Sequence, residues 1–341
     1  STAETAAQIL NMFSFIYVEK RIEKHPRTLK ILSQFPKSTV ITCEHYGEIF
    51  NRHQQDFRIQ KKDPCLILAE KHNKRIMPAP AEYGLNTTHN YYFSHMLNCI
   101  YDCRYCFLQG MFQSAHNVIF VNYEDFIEDI RALAVKTKEP MWFYSGYDCD
   151  SLALDPITEF SKSFIEEISS IDNAFLELRT KSTQVRKLLE MKPRNNVICA
   201  FSLSPAAVIK TLEHQTPSLA ARLSAAKKLQ LAGWPVALRL DPIVFIENFR
   251  AEYTFLIEQI TEQLDFKTLH SITIGAFRLP KGFFKTVKNL YPEEPLFSSQ
   301  FSSDNGQVSY VKSTEKKILD WCEESLKNHN NCPSIYRQTL N

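Results

Sequence analysis

No stretch of this 341-residue chain approaches the roughly eighteen apolar residues that a membrane span needs. The opening residues, Ser1-Thr-Ala-Glu-Thr, lack the basic-then-apolar pattern of a secretory signal. A cytoplasmic protein without a membrane partner is therefore expected. Internal repeats and low-complexity segments are missing too, which excludes solenoids and disordered tracts. Charge of one sign is also lacking: 40 Lys and Arg face 38 Asp and Glu, a formal net of +2. No global field draws the chain to nucleic acid, so any such contact must come from a local patch. Nor is there a disulfide framework. Nine cysteines are an odd number, and Cys43, Cys65, Cys149, Cys199, Cys322 and Cys332 are scattered, the pattern of a reducing compartment. A hydrophobic content of 44% and a charged content of 23% are ordinary for a globular protein of one large or two modest domains.

The other three cysteines fall in one window, Cys99-Ile-Tyr-Asp-Cys103-Arg-Tyr-Cys106. Thiolates so close together form a soft ligand set suited to iron–sulfur chemistry or to zinc. Zinc sites usually carry a second ligand pair roughly 12–20 residues on. None follows Cys106, so His95 or a distant histidine would have to complete such a site. Three ligands on a four-iron cluster would instead leave one iron open. The C-x3-C-x2-C spacing resembles that of the radical S-adenosylmethionine (AdoMet) enzymes. That resemblance implies a 4Fe-4S cluster, AdoMet on its open iron, reductive cleavage to a 5′-deoxyadenosyl radical, and a flavodoxin- or ferredoxin-type electron donor.

From about residue 90 onward, short apolar β-prone runs alternate with helical patterns. Strands are expected at Tyr91–Leu97, Met141–Ser145, Phe175–Arg179, Val197–Ser202, Val236–Leu240 and Ile272–Phe277. Helices are expected near 122–136, 156–169, 182–191, 217–232, 248–264 and 280–290. The helix near 217–232 reads as capped by Thr216, with Pro217 in its first turn and Gly233 past its end. Six βα units imply a parallel α/β sheet, doubly wound or barrel-like. Residues 1–85 read as an α/β lobe, with strands at 15–18, 39–43 and 65–69, a helix at 24–34, and a linker at Pro78-Ala-Pro80. Residues 86–291 form the repeating core. Residues 292–341 read as a hairpin turning at Asp304-Asn-Gly306, then a helix near 314–328. Chemistry in such sheets gathers at the C-terminal ends of strands. Those ends carry the cysteine triplet, Ser145 with Tyr147, Lys181, Ser202, Asp241 and Arg278.

Taken together, these residues resemble the spore photoproduct lyase family, enzymes that use AdoMet radical chemistry to reverse a methylene-bridged thymine dimer in DNA. The likeness runs over roughly residues 14–290. It rests on Ile16-Tyr-Val-Glu19, Ala81-Glu-Tyr83, Cys103-Arg-Tyr-Cys-Phe-Leu-Gln109, Asp150, Asp155, Thr180-Lys181, Phe201-Ser202, Ala221-Arg-Leu-Ser-Ala-Ala-Lys-Lys228, Pro242-Ile243 and Arg278. The resemblance implies a partial (β/α)6 barrel. It also implies Cys99, Cys103 and Cys106 as cluster ligands and Tyr105, Ser145, Lys181 and Ser202 as AdoMet contacts, while Asp241 and Arg278, at strand ends by the barrel mouth, read as substrate contacts or equally as a structural Arg–Asp bridge.

Three departures bear on the substrate. The cysteine that quenches the product radical in the family falls on Tyr147, with Cys149 two residues later, so either is a candidate hydrogen donor. The relaying tyrosine after the last cluster cysteine is Phe107, which has no O–H to give. The family's basic, aromatic hairpin is represented by Leu296–Ser313, which holds no arginine and one lysine, Lys312. DNA contact by this element is not expected. Contact elsewhere would fall to Lys61-Lys62, Lys71 with Lys74-Arg75, or Arg222 with Lys227-Lys228. The alternatives are a divergent radical enzyme acting on a small molecule, or a zinc-binding protein without catalysis.

Overall fold

The computed structural model describes residues 6–338 apart from Glu82, Asn86 and Thr88. Ser1–Thr5 and the Glu82 of the 81–83 match therefore lie outside the described residues. The six expected strands form one curled half-barrel. Asn90–Tyr92, Met141–Tyr144, Ala174–Thr180, Val197–Ser202, Val236–Ile243 and Ile272–Ala276 lie side by side in chain order, each parallel to the next. Met77–Pro78 adds an antiparallel edge, and Ile335–Arg337 adds a parallel one at the other side, giving eight strands. Strands buried on both faces read as unbroken apolar runs rather than as alternation. All six residues of Val197–Ser202 are buried for this reason. Helices Phe160–Ile168 and Leu219–Leu231 pack against neighbouring strands.

Several expectations shift in the folded chain. The strand read at 91–97 splits in two. Its first part joins the half-barrel, while Met96–Leu97 pairs antiparallel with Asn117–Phe120 in a second sheet. Ser94 donates to Asp148 and His95 stacks on Phe160, holding the chain where it crosses over. The helix read at 182–191 shrinks to Arg186–Leu189. Thr180 and Ser182 hydroxyls accept the backbone N–H groups of Ser182 and Gln184 and hold the intervening turn open. The helix read at 217–232 is capped by Ser218, which accepts from Ala221 N at 3.2 Å, not by Thr216. Gly233 closes that helix at φ 90°.

The division at residue 85 does not separate two sheets. Thr39–Cys43, Phe15–Glu19, Leu66–Ala69 and Asn117–Phe120 lie parallel in the second sheet, and the fourth of these strands comes from beyond that point. Pro78 is in an edge strand instead of a free linker. The boundary at 291 is bridged as well, because Arg278–Pro280 pairs with the hairpin strand Gln307–Tyr310. That hairpin turns at Asn305 and Gly306, both at positive φ, as a tight two-residue connection requires. The terminal helix runs Lys312–Lys327. Among the described residues, no helix is long and apolar enough to cross a membrane.

Candidate active site

The cysteine loop leaves the second sheet at Asn98, whose φ of 68° lies in the left-handed region that asparagine enters more readily than other residues with a side chain. The Asn98 amide donates to the carbonyls of Ser114 and His116 at 2.7 and 2.8 Å. Asp102–Cys103 pairs antiparallel with Glu213–His214, tying the middle of the loop to the segment after the fourth strand. Gln109 braces it from behind. Its amide donates to Asp102 at 2.9 Å and to the Cys103 carbonyl at 3.1 Å, and its oxygen accepts from Tyr291 at 2.9 Å. Lys61 donates to the Cys99 carbonyl at 2.6 Å.

All three thiols line one cavity of about 120 Å3. Burial pushes each thiol pKa upward, that of Cys99 to about 12. They become thiolates only against a compensating positive charge. A lone zinc needs every sulfur within about 2.3 Å of one point, whereas an iron–sulfur cluster distributes its thiolates over separate irons. Three thiols facing one shared cavity are the soft donor set that such a cluster takes. His95 does not join them. It is 1% exposed, stacked on Phe160, and burial lowers its pKa to about 3.

Beside Cys103, where Glu213 pairs with its backbone, stands a charged network that the sequence did not announce. Glu213 and Arg222 are buried side chains paired at 2.6 Å. Glu213 also accepts from Tyr105 and, at 3.0 Å, from Ser204. Arg222 donates to the Ser202 carbonyl at 3.1 Å, fixing the end of the fourth strand. The residue considered above for a solvent-facing patch is thus an interior strut, with 0% exposure. Lys181 reaches the same cavity, its Nζ 5.7 Å from the Tyr105 ring centroid. Burial disfavours its charge, but Cys103 and Glu213 outweigh that and hold its pKa above the usual value. Asp150 sets its backbone, accepting from Lys181 N at 2.7 Å and from the Thr180 hydroxyl at 2.6 Å.

The loop after the second strand supplies the rest of the wall. Ser145 is fully buried, its hydroxyl bonded to Ser151 and to the Glu177 carbonyl, each at 2.8 Å. It therefore lies behind the lining, and Gly146 takes the surface position. A Cβ on Gly146 would sit 2.9 Å from the Arg179 carbonyl and from Ser151 Oγ, so this close approach needs glycine. Cys149 is 6% exposed, with Sγ 3.5 Å from the Ser145 carbonyl, and burial, followed by Cys99, pushes its pKa far up.

A second cavity, about 290 Å3, shares Cys106, Phe107, Tyr147, Arg179, Lys181 and Ser202 with the first. Tyr147 lines both, whereas Cys149 lines only the one with the thiols. The Tyr147 ring packs against Tyr92 at 4.4 Å, Tyr83 at 5.3 Å and Phe107 at 5.5 Å. The far wall is Asp241 and Arg278, joined by two bonds of 3.0 and 3.2 Å. A Cβ on Gly275 would collide with both of these side chains at 2.9 Å. Beneath this floor Glu177 is buried between Arg239 and Arg179. Burial raises its pKa, but the two guanidinium groups outweigh this and hold it below the carboxylate range. Charged residues within otherwise apolar strands (Glu177, Arg179, Arg239) were the available signal for this interior network. A larger groove of about 670 Å3 lies between the 245–251 segment and Trp321, but none of the cysteines lines it.

A family model described as spore photoproduct lyase matches residues 85–323. The spore photoproduct lyase of Bacillus subtilis (strain 168) is 25% identical over 292 residues, 82% of this chain and 83% of that protein. That of Clostridium acetobutylicum is 25% identical over 310 residues, 89% of this chain and 90% of that protein. A solved structure of a spore photoproduct lyase complexed with dinucleoside spore photoproduct superposes with a TM-score of 0.83 at 19% identity, covering 95% of this chain and 98% of that one. A mutant with bound AdoMet and the same dinucleoside gives 0.83 at 19% identity, over 96% and 99% of the two chains. At that identity the superposition establishes the fold.

Proposed function

From the premise that this chain belongs to the spore photoproduct lyase family, we propose that it is a cytoplasmic radical AdoMet lyase that acts on a thymine photoproduct. The observation that carries the reading is the pair of joined cavities, one with three thiols and Lys181, the other closed by Asp241 and Arg278. Cys99, Cys103 and Cys106 hold a 4Fe-4S cluster, and Lys181, Ser202 and the Tyr105 ring hold AdoMet. When bound, cluster and AdoMet supply a 5′-deoxyadenosyl radical for hydrogen abstraction, given one electron from a flavodoxin- or ferredoxin-type donor. The Lys181 ammonium pairs with the AdoMet carboxylate. Asp241 and Arg278, each held by the other, present a fixed acceptor and donor to a pyrimidine edge. Ser145 supports the loop and touches no ligand directly.

Tyr147 is the hydrogen-atom donor to the product radical in this reading, because its ring borders both cavities. The Cys149 thiol is directed at a backbone carbonyl on the cluster side. Phe107 contributes packing against Tyr147 and no hydrogen. A second reading is favoured by Tyr147, Phe107 and the nearly uncharged hairpin: the same radical machinery turned on another substrate. One experiment separates the two. The protein is reconstituted anaerobically, reduced with dithionite and given AdoMet, with and without dinucleoside spore photoproduct. Thymine released only with the dinucleoside supports repair. Formation of 5′-deoxyadenosine without thymine supports the second reading, and a colourless zinc protein forming neither would end both.

A further inference from the structure

We propose that the lysine face of helix Lys281–Leu290 is a docking surface for the phosphate backbone of a single-stranded or locally opened nucleic acid, a partner assignment that rests on the reading above. Lys281, Lys285 and Lys288 are all exposed. At 3.6 residues per turn they fall within about 60° of one another, rising about 6 and then about 4.5 Å along the axis. The helix contains no acidic residue. Its opposite side is anchored: Val287 is fully buried, and Phe283, Thr286 and Val287 crowd against Gly110 of the short helix after the cysteines. The lysines thus stand on a rigid element beside the cluster loop, facing outward.

Three observations turn this stripe from an ordinary solvated face into a site. The first is its position. Arg278, Leu279 and Pro280 line the second cavity, and Lys281 follows directly, its N–H donating to the Gly306 carbonyl of the hairpin turn at 2.8 Å. The stripe begins at the cavity rim. The second is charge. Three acids of the adjoining segments are already paired: Glu293 with Arg58 at 2.8 Å, Glu294 with Arg104 at 3.5 Å, and Asp304 with Lys312 at 3.5 Å, and Glu315 faces Arg278 and Lys312. Among the described residues none of the three lysines makes an ion pair, so their charge is uncompensated. The third is aromatic. Phe283, on the anchored side of the same helix, packs its ring 6.2 Å from that of Phe107, which borders both cavities together with Tyr147. Lysines that follow a backbone up to a cavity rim, with the Phe107 and Tyr147 rings lining that cavity for a base to stack on, combine the two means by which proteins hold single strands. An acidic redox protein would use the charge but not the ring beside the cavity. The hairpin, with its one lysine paired to Asp304, is relieved of the electrostatic part of the task.

The test is binding of a fluorescent oligothymidylate of about twelve nucleotides, a length within the span such proteins cover, followed by anisotropy over a range of salt. The K281Q/K285Q/K288Q variant is compared with the natural chain and with K210Q/K227Q/K228Q, which removes three exposed lysines on other helices. Thermal melting checks that both variants fold. The expected result is a Kd raised at least tenfold at low salt, with the log–log salt slope smaller by about 2, as three lost single-strand phosphate contacts require. The second variant should bind like the natural chain. Equal losses in both variants, or an unchanged slope in the first, would overturn the assignment. So would unchanged oligonucleotide binding together with slower reduction by flavodoxin, which would make the stripe a redox-partner surface. The assay needs neither cluster nor AdoMet. A changed slope in a protein that forms no 5′-deoxyadenosine would keep the surface and retract the radical reading, and thymine release with an unchanged slope would do the reverse.

Discussion

Replacing Arg222 with methionine tests whether the buried Glu213–Arg222 pair holds the AdoMet side of the cavity together. Methionine keeps most of the bulk and removes four donated bonds: to Glu213 at 2.6 Å, Thr216 at 2.8 Å, Pro217 O at 3.0 Å and Ser202 O at 3.1 Å. With both side chains almost wholly buried, removing one partner leaves an unpaired interior carboxylate, at a cost of about 3–5 kcal/mol. The change should carry a pH signature. Burial raises the pKa of Glu213, but Arg222 and Lys181 outweigh this and hold it below its ordinary value. A carboxylate lowered in this way contributes stability that is fully present above its unfolded pKa of about 4.3. That contribution is lost as pH falls through the still lower folded value. R222M lacks it, so the two proteins should differ most near neutrality and converge as pH drops below about 4. Urea unfolding of the metal-free proteins at several pH values measures this, and R222M/E213Q should recover part of the loss by removing the stranded charge. A loss under about 1 kcal/mol at neutral pH, or a gap that stays constant with pH, would refute the argument. Freed from Arg222, Glu213 should also compete for Lys181 and weaken AdoMet binding about tenfold, some 1.4 kcal/mol.

Alanine at Cys99, Cys103 or Cys106 should abolish bound iron and the brown colour, whereas Cys149→Ala should retain both; iron analysis after reconstitution decides this. Tyr147→Phe should lower thymine release at least tenfold, about 1.4 kcal/mol in barrier, while 5′-deoxyadenosine still forms. Cys149→Ala should leave the product distribution unchanged, and the reverse pattern would transfer the donor role to the thiol. Gly146→Ala should cost about 1–3 kcal/mol, because its methyl meets a backbone carbonyl at 2.9 Å; a melting temperature equal to that of the natural chain would contradict the close approach.

Most of the half-barrel was legible because a strand buried on both faces is an apolar run, and six such runs alternate with helices. The cysteine triplet was legible for a related reason: ligands that share one cluster can be local in sequence. The interior charges were not. Glu213 and Arg222 lie nine residues apart around a turn, and only the fold aims both at Tyr105 and the end of the fourth strand. Arg222 reads in sequence as one of a group of exposed charges with Lys227 and Lys228, yet its guanidinium crosses to Glu213, a partner that helical periodicity cannot reveal.

The sequence by itself determined the half-barrel, the cysteine loop, and the strand ends at which Lys181, Ser202, Asp241 and Arg278 stand, since each depends on local pattern and chain order. Tertiary structure alone decided which side chain borders a cavity and which is spent inside. Ser145 turned inward to bond Ser151 and Glu177 O, while Tyr147, two residues on, reached both cavities. It also joined residues of the supposed lobe to the core, through a sheet that takes its fourth strand from 117–120. Such choices depend on contacts between segments distant in sequence, where the burial of one polar group is settled by whichever partner the fold brings within hydrogen-bonding reach.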